Sequence, residues 1–185
     1  MDSILEYNIQ SINLDNLIEY AYSLKKSEFG EVGRKSSVNG FQSNEIYNSD
    51  DSVLPLFSEI SNIINRNCKQ IIGTIEVELG YYWVNINGRG SYNEKHHHMG
   101  NTPNSKKQSI LSGVFYLNVP EGDAGNIIFT NKDGSESSIH PINGDLLLFS
   151  PSMIHRVETN NTDEERISLA FNYIKSSKQQ TNSIF

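Results

Sequence analysis

Apolar positions follow a helical period in the first part of this chain and a strand period in the rest. Leu14, Leu17, Ile18, Ala21 and Leu24 fall on one face of a helix that Asn13 can cap. Phe57, Ile60, Ile64, Cys68 and Ile71 repeat the pattern further on. Between them, residues 27–53 are rich in Gly, Ser and Asn and read as a long irregular segment, of a kind that is often functional in a compact domain. From about residue 74 the rhythm changes. Thr74–Glu78, Tyr81–Asn87, Ile110–Val119, Asn126–Thr130, Leu146–Phe149 and Ile167–Tyr173 are short runs bounded by Gly, Pro, Asn or Asp. Lys132-Asp133-Gly134 and Ile142-Asn143-Gly144 carry hairpin turn signals.

Two of these runs have unlike faces. On 110–119, Ser112, Val114, Tyr116 and Asn118 share one side, with Leu111, Phe115, Leu117 and Val119 on the other. On 166–173, Arg166, Ser168 and Asn172 oppose Ile167, Leu169 and Phe171. Such polar sides either meet water or converge inside a cup. Helices first and short strands after predict a mainly β chain of α+β type, a sandwich or jelly roll with its N-terminal helices packed outside.

Length adds a domain count. At 185 residues one domain is expected over 1–185: a helical support region 1–73, a strand-rich core 74–175 and a tail 176–185. A net charge of −7 argues against a phosphate-binding surface, so nucleic acid is not an expected partner. Cys68, the only cysteine, cannot form an intrachain disulfide, and its apolar neighbours suit a buried helical thiol in a reducing compartment. No apolar run reaches the ~20 residues that span a bilayer, and Asp2 and Glu6 replace the basic start of a signal peptide. A soluble, cytoplasmic protein without a membrane partner is the expectation.

The chemistry centres on His96-His97-His98. On an extended strand His96 and His98 share a face while His97 points away. His155, after another strand pattern, completes a set of three imidazoles that would leave about half the coordination sphere of a first-row divalent ion open. Arg166 lies eleven residues beyond His155 on the last strand. Its planar guanidinium can hold a carboxylate beside the ion, which suits a dicarboxylate co-substrate and is not needed for activating water on zinc. Each residue also has a plain alternative: a histidine run is more often a solvated loop, and Arg166 after Asp163-Glu164-Glu165 can be a surface ion-pair partner.

In order, the matching pieces are Trp83-Val84-Asn85, Gly90, Asn93-x-x-His96-x-His98, Leu111 to Leu117, Pro141-x-x-Gly144 to Phe149, His155-x-Val157 and Arg166 to Asn172, with Gly40-Phe41-Gln42-Ser43 upstream. From Trp83 to Asn172 the chain resembles the Fe(II)- and 2-oxoglutarate-dependent oxygenases, and within them a group known largely from bacterial and phage genomes. The resemblance implies a double-stranded β-helix, a cupin-like jelly roll, with iron near its open end. It implies His96, His98 and His155 as metal ligands, and Arg166 as the clamp for the distal carboxylate of 2-oxoglutarate. Ser112, Tyr116, Asn85 and Asn172 are implied as lining for that pocket, and dioxygen as the second co-substrate. The cytoplasm would then be that of a bacterium or a phage-infected cell. Most members carry Asp or Glu where this chain has His98, and Glu94 stands on the wrong side of His96 to replace it. The polar, basic loop Met99–Gln108 is either a lid or an insertion.

The implied function is a hydroxylase that couples decarboxylation of 2-oxoglutarate to succinate with C–H hydroxylation of a small-molecule, peptide or protein substrate. Two alternatives stay open: a cupin-type three-His dioxygenase in which the substrate itself chelates iron, and a non-enzymatic ligand-binding or virion jelly roll using Tyr81, Tyr82 and Trp83 as a platform.

Overall fold

The computed structural model describes residues 4–27, 36–47, 50–68, 72–99 and 108–176. Two antiparallel sheets face one another, with two helices on the outer side of the larger. In chain order the elements are β1 (Leu5–Asn8), α1 (Leu14–Lys26), β2 (Ser37–Val38), β3 (Phe41–Gln42), α2 (Leu54–Asn67), β4 (Val77–Asn87) and β5 (Tyr92–His96). β6 (Ser109–Asn118), β7 (Ile127–Thr130), β8 (Glu136–Ile139), β9 (Asp145–Phe149), β10 (Ile154–Val157) and β11 (Arg166–Lys175) follow. The major sheet runs β1-β9-β6-β11-β4-β3 and the minor sheet β2-β5-β10-β7-β8. This is the expected jelly roll with helices outside.

Strand alternation builds the layers. On β4, β6 and β11 the apolar set Tyr82, Val84, Ile86, Leu111, Phe115, Leu117, Ile167, Leu169 and Phe171 is buried in one cluster with Leu17 and Ala21 of α1 and Phe57, Ile60 and Ile64 of α2. Phe57 is the pivot, with its ring 5.7 Å from that of Phe171 and 5.1 Å from that of Tyr82. At about 25 cal/mol per Å² of buried apolar surface, this face holds the helices on the sheet. The opposite faces of the same strands look into the space between the sheets, where Val114, Tyr116, Ile127, Phe129, Leu147, Phe149 and Met153 form a second, smaller cluster. Val119 lies just past the end of β6, packs against this inner cluster, and so departs from the outer face that alternation gave it.

Both helices form where the pattern put them. Asn13 caps α1, its Oδ1 accepting from the Asn16 N–H. Cys68 is fully buried at the end of α2, and burial pushes its thiol up to about 11, which keeps it protonated and inert. Ile71 lies outside the described residues.

Several expectations need correction. Thr74–Glu78 and Tyr81–Asn87 are not separate strands: Thr74 lies in a turn, and from Val77 the chain runs unbroken through Gly80 as β4, with a register shift against β11 between Asn172 and Tyr173. The segment 27–53 is not merely irregular, since it supplies β2, β3 and the bridge Ile46 to Tyr82. Two-residue strands are too short to show alternation, so only their partners reveal them. The N-terminal stretch also gives β1, an edge strand on β9. Asn131–Ser135 closes the β7–β8 hairpin as predicted, with Gly134 at φ 85°. Ile142-Asn143-Gly144 instead carries the chain from β8 in one sheet to β9 in the other. Among the described residues no helix is long and apolar enough to cross a membrane.

Candidate metal centre

His96 and His155 are brought together by strand pairing. They sit directly opposite one another in the antiparallel pair β5–β10, and their ring centroids are 4.3 Å apart. His98 lies two residues past His96, where the strand has ended but the chain is still tied down by its own N–H donating to the Pro151 carbonyl at 2.9 Å. Its ring centroid is 5.3 Å from that of His96 and 4.9 Å from that of His155. One ligand nitrogen from each of the three lies within 4.8 Å of the others. His97 faces outward, exposed, with Nδ1 accepting the Met99 N–H.

The backbone sets which nitrogen is free. Nδ1 of His96 is 2.6 Å from the Glu94 carbonyl and Nδ1 of His155 is 3.0 Å from the Met153 carbonyl. Each Nδ1 therefore carries the proton, leaving Nε2 as a lone-pair donor, the arrangement that metal-binding histidines use. In His98 both ring nitrogens are buried and neither makes a well-formed hydrogen bond, the Asn172 side chain being the polar group that approaches the ring. A buried imidazole left in that state is costly unless it binds something, and an ion at the cluster would satisfy it. Glu94 is exposed, so it does not add a carboxylate to the set. The Nε2 donors are borderline ligands that suit a first-row divalent ion.

Burial holds all three rings neutral, as metal binding requires. Desolvation is the main cause, with neighbouring imidazoles adding to it: His155 is pushed down to about 3, His98 goes well below the usual imidazole range, and His96 is lowered. In the metal-free protein the unfolded chain therefore takes up protons first as pH falls below about 6.5. Stability is full above that value and declines as pH drops towards 3. Urea unfolding of the metal-free protein at pH 7.5 and pH 5.5 should show a loss of about 1.4 kcal/mol for His155 alone, and more with His98.

Arg166 lies on the same cavity, but its guanidinium is partly committed. Nη1 donates to the Ala124 carbonyl at close range, and to those of Gly125 at 3.1 Å and Glu158 at 3.4 Å. Nη2 is buried with no partner. The expected two-pronged fork is thus replaced by a guanidinium anchored on one edge and open on the other. Gly125 makes the anchor, at φ 82°: a Cβ there would overlap the Glu158 carbonyl oxygen and lie 2.8 Å from Nη1. Gly125→Ala should cost about 1–2 kcal/mol in backbone conformation alone, and more because Arg166 must move. Urea unfolding of the variant measures that loss.

The cavity proper is about 40 Å³, set in about 470 Å³ of unfilled space that runs out into solvent. Tyr116, Asn85 and Arg166 line it with the three histidines, and Ser36, Asn93, Ser168 and Trp83 do so as well, without having been singled out as pocket lining from the sequence. Burial pushes the Tyr116 phenol far above its ordinary value, so it remains a hydroxyl donor. The Asn85 Oδ1 is buried without a partner. Ser112 stands behind the cavity wall, whereas the Asn172 side chain approaches the ring of His98. They are buried cross-strand neighbours, and the Ser112 hydroxyl donates to Asn172 Oδ1 at 2.5 Å. The carbonyls of Glu94, Met153, Ala124, Gly125 and Glu158, which orient the functional side chains, carry no side-chain signature; Gly125 in its turn was the only sequence signal near them.

Comparison with known proteins follows this geometry. Residues 81–172, the stretch containing all three histidines and Arg166, match the family described as "Putative 2OG-Fe(II) oxygenase". No curated protein matches the chain. A Pseudomonas putida prolyl-4-hydroxylase superposes with TM-score 0.73 at 14% identity, covering 96% of this chain and 95% of that one. A Trichoplax adhaerens prolyl hydroxylase, in complex with a hypoxia inducible factor peptide fragment, gives 0.72 at 17%, covering 100% and 89%. The epimerase SnoN, in complex with Fe3+, alpha ketoglutarate and nogalamycin RO, gives 0.75 at 15%, covering 95% and 80%. At these identities the likeness is one of fold. The matched segment and the centre it contains place the chain in the 2OG-Fe(II) oxygenase family, enzymes that work with iron and 2-oxoglutarate.

Proposed function

We propose that this chain is a hydroxylase in which His96, His98 and His155 hold Fe(II) and Arg166 holds 2-oxoglutarate. One observation carries the reading: three imidazoles, His155 buried and His96 and His98 half-buried, gather their ring nitrogens in one cavity with a buried guanidinium whose Nη2 has no partner. With dioxygen as the oxidant, iron and 2-oxoglutarate would supply the chemistry: the keto acid loses CO2 and takes one oxygen atom to leave succinate, and the other oxygen atom hydroxylates a C–H bond. The protein's part is placement. The Glu94 and Met153 carbonyls fix two tautomers, and the Pro151 carbonyl fixes the backbone under the third ligand. Nη2 of Arg166 is the donor for the distal carboxylate, with the Tyr116 hydroxyl and Asn85 on the same wall. Ser112 supports that wall from beneath, with Asn172 beside the ring of His98. Val114, Ile127, Phe149 and Val157 keep the surroundings apolar, which strengthens each charged contact made there.

The substrate is a small molecule or a peptide; relatives of this fold have been captured with each kind. Anaerobic titration with Fe(II) and then 2-oxoglutarate tests the assignment. A visible charge-transfer band is expected when the keto acid chelates the metal. Bound iron with no such band would sink it, and would favour the cupin-type reading in which substrate alone chelates and no succinate forms.

A further inference from the structure

The aromatic rings around the histidines are not equivalent. Among the described residues, the non-histidine rings in contact with the three are Phe129, Phe149 and Trp83. Benzene rings resist one-electron oxidation, whereas indole gives up an electron readily. Trp83 meets His98 edge to face at 5.2 Å between centroids. From Trp83 the contacts continue outward: Tyr81 stacks on it at 6.1 Å, and Tyr47 meets Tyr81 at 5.6 Å. The sequence explains the first step, because Tyr81 and Trp83 alternate onto one face of β4 while Tyr82 enters the outer core. Among the described residues Tyr47 is the outermost ring of the series, 49% exposed, and its hydroxyl donates to the Glu45 carboxylate. Oxidising a phenol requires that its proton leave, and Glu45 is an acceptor already in hydrogen-bond contact.

We propose that Trp83, Tyr81 and Tyr47 form a redox relay through which the metal centre draws electrons from the surface when it is oxidised without substrate in place. The proposal rests on the oxygenase reading above for its source of oxidising equivalents. In each passage one electron moves from Trp83 to the centre; Tyr81 refills the vacancy while its proton shifts to the Ser109 hydroxyl beside it, and the proton returns when Tyr47 reduces Tyr81 in turn. The Tyr47 O–H bond breaks, its proton going to Glu45, which returns it to solvent. The exposed tyrosyl radical then takes a hydrogen atom from a small thiol. Two passages consume two oxidising equivalents: the oxygen atom at the centre leaves as water with two solvent protons, and two thiols end as one disulfide. The damage that would otherwise fall on cavity side chains is exported.

The test uses the full chain loaded with Fe(II), without substrate, in two arms. One arm receives 2-oxoglutarate and air, and the other hydrogen peroxide in place of both. Freeze-quenched samples are read for tyrosyl radical by electron paramagnetic resonance, oxygen added to Trp83 is read by peptide mass spectrometry, and succinate is measured in the first arm. Tyr47→Phe keeps the ring and removes the O–H bond at an exposed position. The wild type is expected to show the radical, and the variant to lose most of it while Trp83 oxidation rises severalfold. Added thiol should protect Trp83 in the wild type only. Equal Trp83 oxidation in both proteins, with no selective effect of thiol, would overturn the relay and leave the three rings as packing. Succinate formed alongside that equality removes the relay alone. Absence of succinate, with the variant effect intact under peroxide, removes the 2-oxoglutarate reading and leaves the relay standing.

Discussion

Replacing His98 with Ala is expected to weaken Fe(II) binding by more than about a hundredfold, beyond the 10–100-fold typical of losing a partner behind a ligand. The reason lies in what His98 lacks. His96 and His155 keep one nitrogen on a backbone carbonyl, whereas both nitrogens of His98 are buried without a well-formed hydrogen bond, so an ion is the group that satisfies it. His97→Ala is the matched control, because that side chain is exposed and, among the described residues, its hydrogen bond is with the Met99 N–H. Anaerobic equilibrium binding separates the two variants. His98→Asp is the more searching substitution, since it restores the carboxylate common in the family but shortens the reach. Bounded by Trp83 at 5.2 Å and Phe149 at 5.9 Å, the ring position is shaped for an imidazole. Iron affinity and turnover should both fall in His98→Asp; undiminished binding there would show that the position accepts a carboxylate in place of the imidazole, and undiminished binding in His98→Ala that His98 is not a required ligand.

Arg166→Lys is expected to weaken 2-oxoglutarate binding on the order of a hundredfold, about 2–3 kcal/mol, while leaving iron affinity close to wild type. A lysine keeps the charge, so the loss isolates geometry. Arg166 satisfies carbonyls of Ala124, Gly125 and Glu158 with one edge and offers Nη2 from the other. A single ammonium cannot reach both sets at once. It would either settle among the carbonyls and abandon the co-substrate, or leave the carbonyls unpaired. Titrating the visible band in iron-loaded protein measures the effect, and an unchanged midpoint would remove Arg166 from the binding role.

Much of this architecture was legible because two periodicities dominate it. The stripe ending at Leu24 and its Asn13 cap define α1 without help from the rest of the molecule. On β6 and β11 alternation separates most of the outer core from the cavity wall, though Val119 turns to the inner cluster and Ser112 stays behind the wall. The turning of His97 away from its neighbours follows from the same period. What escaped was structure whose cause lies elsewhere in the chain. β2 and β3 exist because β5 and β4 offer them edges to pair with, and two residues carry no period of their own. Gly80 looked like a boundary, yet β4 passes through it. The state of Arg166 was illegible for another reason. Its anchor consists of backbone carbonyls, which every residue possesses and no sequence distinguishes.

The position of β11 bears on how the protein is made. It follows every other strand among the described residues, yet it lies in the middle of the major sheet between β6 and β4. While the polypeptide is being synthesised, those two strands present unpaired edges until residues 166–175 have left the ribosome. Phe171, against which Phe57 packs, arrives in the same stretch, as does Arg166. The chain therefore completes its core and its buried guanidinium together, and a nascent protein interrupted before β11 would be prone to aggregation and would lack the cavity wall that Arg166, Ser168 and Ala170 supply.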